Sequence, residues 1–119
     1  MTKIKSIYFD EKIVEELKKI KTPIINKNRI PVIFRKERKM DGVFQHIALK
    51  RHHLKIRDIK QMPKILKNPI SIQKLRKTKN RKAYYGKRPG KSKMLLVIIV
   101  EKYDNHEQIV TCYPTKKFL

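Results

Sequence analysis

The sequence predicts an α+β fold, with N-terminal helices packed on a four-stranded antiparallel sheet, and three observations carry that expectation. Apolar residues before position 67 recur at helical spacing. After Asn68-Pro69 the period shortens toward two, and Met94–Val100 is an unbroken apolar run of strand character. Helices first and strands second favour helices packed on an antiparallel sheet over a parallel, doubly wound one. A length of 119 residues, 39% of them hydrophobic, suits one domain with one modest core. Residues 1–28 read as a helical arm and 29–119 as the core.

Asp10 is positioned to cap a helix in which Ile13, Val14, Leu17 and Ile20 follow one another at helical intervals. Glu11, Glu15 and Glu16 precede Lys18, Lys19 and Lys21, which complements the helix dipole, and Pro23 ends the segment. Arg29–Lys36 is β-branched with an early proline and reads as an edge strand. Asp41-Gly42 marks a turn. Val43, Phe44, Ile47 and Leu54 then follow helical spacing, with strand alternation as the alternative, and Ile56, Ile59, Met62 and Leu66 give a helical rhythm in the next segment. Pro63 predicts a kink or two short helices there. Ile70–Leu75, Arg81–Lys87, Lys93–Tyr103 and Gln108–Tyr113 read as strands, the third as the sheet centre. Asp104, Asn105 and His106 form the turn before the last.

Charge is the loudest signal. Lys and Arg number 32 against 10 Asp and Glu, a formal net charge of +22. Such an excess repels itself in the folded state, so it points to a polyanionic partner. An anionic membrane would call for a basic amphipathic helix or a lipidation signal, and neither is visible. Nucleic acid is the expected partner, and no membrane. The longest apolar run is far short of the ~20 residues that span a bilayer. Met1–Glu11 shows no secretory pattern, and the single Cys112 suits a reducing compartment. The expected location is therefore the cytoplasm. No zinc-ligand spacing, carboxylate cluster or Gly-rich phosphate loop is present, so no metal and no cofactor is expected.

Lys74–Lys93 holds ten Lys or Arg and no acid, with Tyr84 and Tyr85 inside it. Lys79, Arg81, Lys82, Lys87 and Arg88 are candidate phosphate contacts, and the tyrosines candidate stacking faces. On a helix His46, Lys50 and His53 share one side at i, i+4 and i+7. His52 falls off that side, and His106 sits in a polar turn. Two imidazoles beside a cation suit metal-free RNA cleavage, in which the 2′-hydroxyl attacks the adjacent phosphate. Such a site needs a base, an acid, and donors around the charged phosphorane. The rival reading is a non-catalytic, ribosome-associated RNA binder. A DNA-binding regulator is a third, although no helix-turn-helix spacing accompanies Lys50–Arg57.

The segment HIALKRHHLKIRDIKQMPKILKNP, then RKAYYGKR, KMLLVIIVEKY and QIVTCYPTKK, resembles the small metal-independent ribonucleases of the barnase, EndoU, colicin E5/D and RelE-like superfamily, phage and toxin members included. The likeness covers roughly residues 46–117 and lies in the order of elements and residue types. It implies an endoribonuclease toxin leaving a 2′,3′-cyclic phosphate on tRNA, mRNA or rRNA, with an acidic antitoxin or immunity protein. It implicates His46 or His53, Lys50 and Arg51 on the helix, Tyr84 or Tyr85 by the basic strand, and Thr111 on the last strand. By simple alternation Ile109, Thr111 and Tyr113 share a sheet face, so Thr111 and Tyr113 are expected to meet the substrate together.

Overall fold

The helical rhythm near the N-terminus is realised in α1, Glu11–Lys19, in a computed structural model that describes residues 8–36, 42–90 and 93–118. The Asp10 carboxylate accepts the Lys12 backbone N–H at 2.9 Å and so satisfies one donor that the first turn leaves open. Ile13, Val14 and Leu17 are buried, and α1 packs against α2 and α3 within one core. The helix closes at Ile20, three residues ahead of Pro23.

The fold is α+β, but the sheet is larger than expected, with six strands in mixed orientation. These are β1 (Ile24–Ile25), β2 (Pro31–Phe34), β3 (Ser71–Lys74), β4 (Arg81–Lys87), β5 (Leu95–Lys102) and β6 (Glu107–Thr115). Their spatial order is β1-β2-β6-β5-β4-β3. Strands β3 to β6 pair antiparallel in sequence order and form a four-stranded meander. Strand β2 runs parallel to β6 and widens it, so the expected purely antiparallel sheet is corrected, and two strands intervene between the helices. Nor is β2 an edge strand, because β1 covers it. A two-residue strand leaves no periodicity to read. Pro31 opens β2, where a missing ladder donor is best tolerated.

Helix α2 spans Gly42–Ile47, a 3₁₀ turn follows at Lys50–His52, and α3 spans Ile56–Lys67. The single helix expected over 43–53 therefore stops at Ile47. Asp41 of the expected Asp41-Gly42 turn lies outside the described residues, and Gly42 opens α2. His53 has φ 53° in the left-handed region, a conformation His adopts more readily than most, and it turns the chain toward α3. Pro63 does not divide α3. Ile59, Met62, Ile65 and Leu66 bury one face of the helix, and that packing offsets the missing amide.

Strand β5 explains the apolar run. Leu96, Ile98 and Val100 face the helical layer, while Val97 and Ile99 join a second cluster whose buried members all come from β4, β5 and β6. The β5–β6 register then slips. Ile99 pairs with Thr111 and Val100 with Ile109, so Val110 is an extra residue. This bulge corrects the simple alternation. Ile109 turns into the helical core, whereas Val110, Thr111 and Tyr113 stand on the opposite side. Among the described residues no helix is long and apolar enough to cross a membrane.

Candidate active site

The parallel strand β2 covers only part of β6. Its pairing reaches Ile109, followed by the Arg35 N–H bonding the Ile109 carbonyl at 2.9 Å. Past that point α2 packs against β6, and a cleft of about 380 Å³ opens beside the bulge. Arg35, Gly42, His46, Arg81, Val110 and Thr111 line it. The bulge matters because it sets Val110 and Thr111 on one wall. Thr111 Oγ1 is buried and has no hydrogen-bond partner among the described residues. A buried hydroxyl left so costs about 1–3 kcal/mol.

Arg81 Nε donates to Glu101 Oε2 at 3.1 Å, and the Tyr103 hydroxyl donates to the other Glu101 oxygen at 2.7 Å. The Tyr103 hydroxyl and the Arg81 guanidinium hold the Glu101 carboxyl below its usual range. Arg81 thus lines the cleft while its side chain is held by Glu101, which lies outside it. Arg35, at the end of β2, supplies the second cation.

His52 stands next to this cleft. Its Nδ1 lies 3.0 Å from the Ile47 carbonyl oxygen. A carbonyl only accepts, so Nδ1 carries the proton in that bond, and Nε2 is the basic nitrogen of the neutral ring. The His52 ring meets His46 edge-on, with centroids 5.9 Å apart, and lies 6.1 Å from the Tyr113 ring. Burial raises the Tyr113 phenol above its ordinary value, with Tyr85 and Cys112 adding to the shift, so the phenol stays protonated.

The other expected site residues separate into two groups. His46, Thr111 and Arg81 line this cleft, and Tyr113 lies against His52. Lys50 and His53 line a different cavity of about 380 Å³ with Asp10, Lys55 and Arg88. They do not share a helical side with His46, because the helix ends before them. Tyr84 is fully buried, donating to Glu107 Oε1 at 2.7 Å and accepting from Asn26 Nδ2 at 3.0 Å. Burial and the neighbouring Glu107 raise its phenol far above the ordinary value, so it is a core group rather than a proton carrier. Tyr85 is fully buried, and Phe118 packs edge-on against it at 4.7 Å, which leaves no face for a base.

Two expected phosphate contacts are occupied internally. Lys82 pairs with the buried Glu107. Arg88 grips the buried Asp58 with Nε and Nη2 at 3.1 and 3.0 Å, and Nη2 also donates to the His53 carbonyl at 2.8 Å. Arg51, Lys79 and Lys87 are exposed. His52, expected to stand apart from the site, and Arg35, which no motif marks, are the additions. Nothing local separates His52 from His53 until the end of α2 is known. Arg35 was legible only as the residue that follows a strand. Among the described residues no group of three or more His, Cys, Asp or Glu is arranged to hold a metal ion.

No protein-family model matches the chain, and no curated protein or solved structure matches it. The functional reading therefore rests on the chemistry of the cleft.

Proposed function

We propose that the chain is a metal-independent endoribonuclease that cleaves RNA by 2′-hydroxyl transesterification and leaves a 2′,3′-cyclic phosphate. One observation carries the reading. His46, Arg35, Arg81 and Thr111 line one cleft, Thr111 brings a buried hydroxyl without a partner among the described residues, and His52, its tautomer fixed by a backbone carbonyl, meets His46 edge-on. In this reading His52 Nε2 takes the proton of the attacking 2′-hydroxyl. The scissile phosphate lies against Arg35, Arg81 and Thr111, whose donors neutralise the phosphorane as its charge grows. His46 returns a proton to the departing 5′-oxygen, and Tyr113 packs against His52 and keeps its ring in place.

The substrate is RNA because the mechanism consumes a 2′-hydroxyl, and the charge of +22 favours a polyanion. Whether it is tRNA, mRNA or rRNA is a matter for the cleavage pattern. The proposed setting is a growth-inhibiting toxin in the cytoplasm, held in check by an acidic antitoxin or immunity protein that covers the cleft. The test is incubation of purified protein with total RNA in EDTA, followed by analysis of the new ends. Discrete cuts carrying cyclic phosphates are expected. RNA that is bound but intact would make the chain a non-catalytic binder instead.

A further inference from the structure

Beyond the cleft, the β5–β6 turn holds an aromatic pair that the cleavage chemistry does not use. The Tyr103 and His106 rings stack at 5.1 Å with only 7° between their planes. Both are fixed from the side. The Tyr103 hydroxyl donates to Glu101, and the Tyr103 backbone N–H donates to the His106 carbonyl at 2.9 Å. His106 Nδ1 lies 2.8 Å from Asn105 Oδ1, and its Nε2 lies 3.1 Å from Gln108 Nε2. With Nδ1–H donating to the Asn105 amide oxygen and Nε2 accepting from the Gln108 amide, the imidazole is satisfied as a neutral ring.

This stack is not part of either apolar cluster, and Tyr103 remains 40% exposed. A hollow of about 470 Å³ adjoins it, lined also by Asn80, Lys102, Asp104 and Asn105. Its lining includes Glu101 and Asp104, whose carboxylates accept hydrogen bonds from amino and imino groups, with Lys102 offsetting part of their charge. A flat aromatic surface with amide and carboxylate edges matches a nucleobase in its chemistry, while the cationic cleft matches a phosphate. The two are joined directly: Arg81 lines the cleft and binds Glu101, and Glu101 holds Tyr103.

We propose that Tyr103, backed by His106, is a nucleobase-stacking subsite that holds an unpaired base of the RNA beside the cleft. It rests on the ribonuclease reading, and it adds a position at which the substrate must be single-stranded. Stacking on an aromatic side chain carries no strong base identity, so this subsite selects for an unpaired nucleotide more than for a sequence. The amide and carboxylate edges around it supply what base preference there is.

The experiment uses single-stranded RNA oligonucleotides with one abasic position moved along the chain, made uncleavable by 2′-O-methyl groups. Binding to the wild-type protein, Tyr103→Ala and Tyr103→Phe is measured by anisotropy. Loss of the base at one position is expected to weaken wild-type binding roughly 5- to 150-fold, the range for one base stacked on an aromatic ring. Tyr103→Ala should weaken binding of the intact oligonucleotide by a like factor and become indifferent to that abasic position. Tyr103→Phe keeps the ring and should stay sensitive to it. If the wild type binds and the same RNA without 2′-O-methyl groups is cleaved, yet no abasic position loses affinity in a Tyr103-dependent way, the subsite is wrong and the ribonuclease reading stands. If the wild type neither binds nor cleaves RNA, both fall.

Discussion

In the proposed ribonuclease, Thr111 is where stability and activity are expected to separate. Its buried hydroxyl has no partner among the described residues, so the protein gains little from it unless a ligand oxygen arrives. Thr111→Val keeps the shape and removes the hydroxyl. We expect the denaturation midpoint to hold or rise while the cleavage rate falls by about 10²-fold, the scale for one lost transition-state donor. Parallel measurements of turnover and denaturant unfolding check this; a large loss of stability would make Thr111 a structural residue. Tyr84, Lys82 and Arg88 stand at the other extreme. Their polar groups are committed to Glu107 and Asp58, two carboxylates with no exposed surface, and removing one partner strands a buried charge. Residue type and a basic neighbourhood marked them for RNA contact, yet burial decided otherwise.

At the level of elements, two local irregularities make the cleft: the bulge at Val110 and the early end of α2. Neither is written in a periodic pattern. Alternation correctly placed Thr111 and Tyr113 on one side of β6, but it put Ile109 with them because an inserted residue is invisible to a period-two reading. The cap at Asp10, the apolar face of α1 and the central place of β5 were legible because each follows from capping or burial periodicity. His46, Lys50 and His53 do not share a side because α2 ends at Ile47 and the chain turns again at His53 with φ 53°. The approach of α3 to the sheet has its own test. A Cβ at Gly86 would run into Ile65 Cγ1, so this glycine lets the helix sit down on β4. Gly86→Ala should cost about 1–3 kcal/mol by overpacking. Ile65→Ala clears the space, so the double variant should lose less than the sum of the singles, as denaturant midpoints will report. Strict additivity would mean that the two residues do not press on each other.

For the molecule as a whole, the charge of +22 favours a polyanionic partner, and in the proposed ribonuclease it would set how RNA is met. The exposed Arg51, Lys79 and Lys87 are available for phosphate, while Lys82 and Arg88 hold the fold together. Replacing Lys79 and Lys87 with alanine should weaken RNA binding broadly and flatten the plot of log affinity against log salt by about 0.7 per lost contact. An unchanged slope would put the footprint elsewhere on the surface. The same field would draw an acidic neutralising protein quickly and over long range. What all of this serves is the cleft beside β6, and His52 is its most exacting point. RNA turnover by the wild type, His52→Ala and His53→Ala, with RNA affinity measured alongside, tests it most directly. The account predicts that His52→Ala cleaves about 10²–10⁴-fold more slowly with affinity nearly retained, while His53→Ala cleaves like the wild type. Cleavage by His52→Ala at the wild-type rate would contradict it.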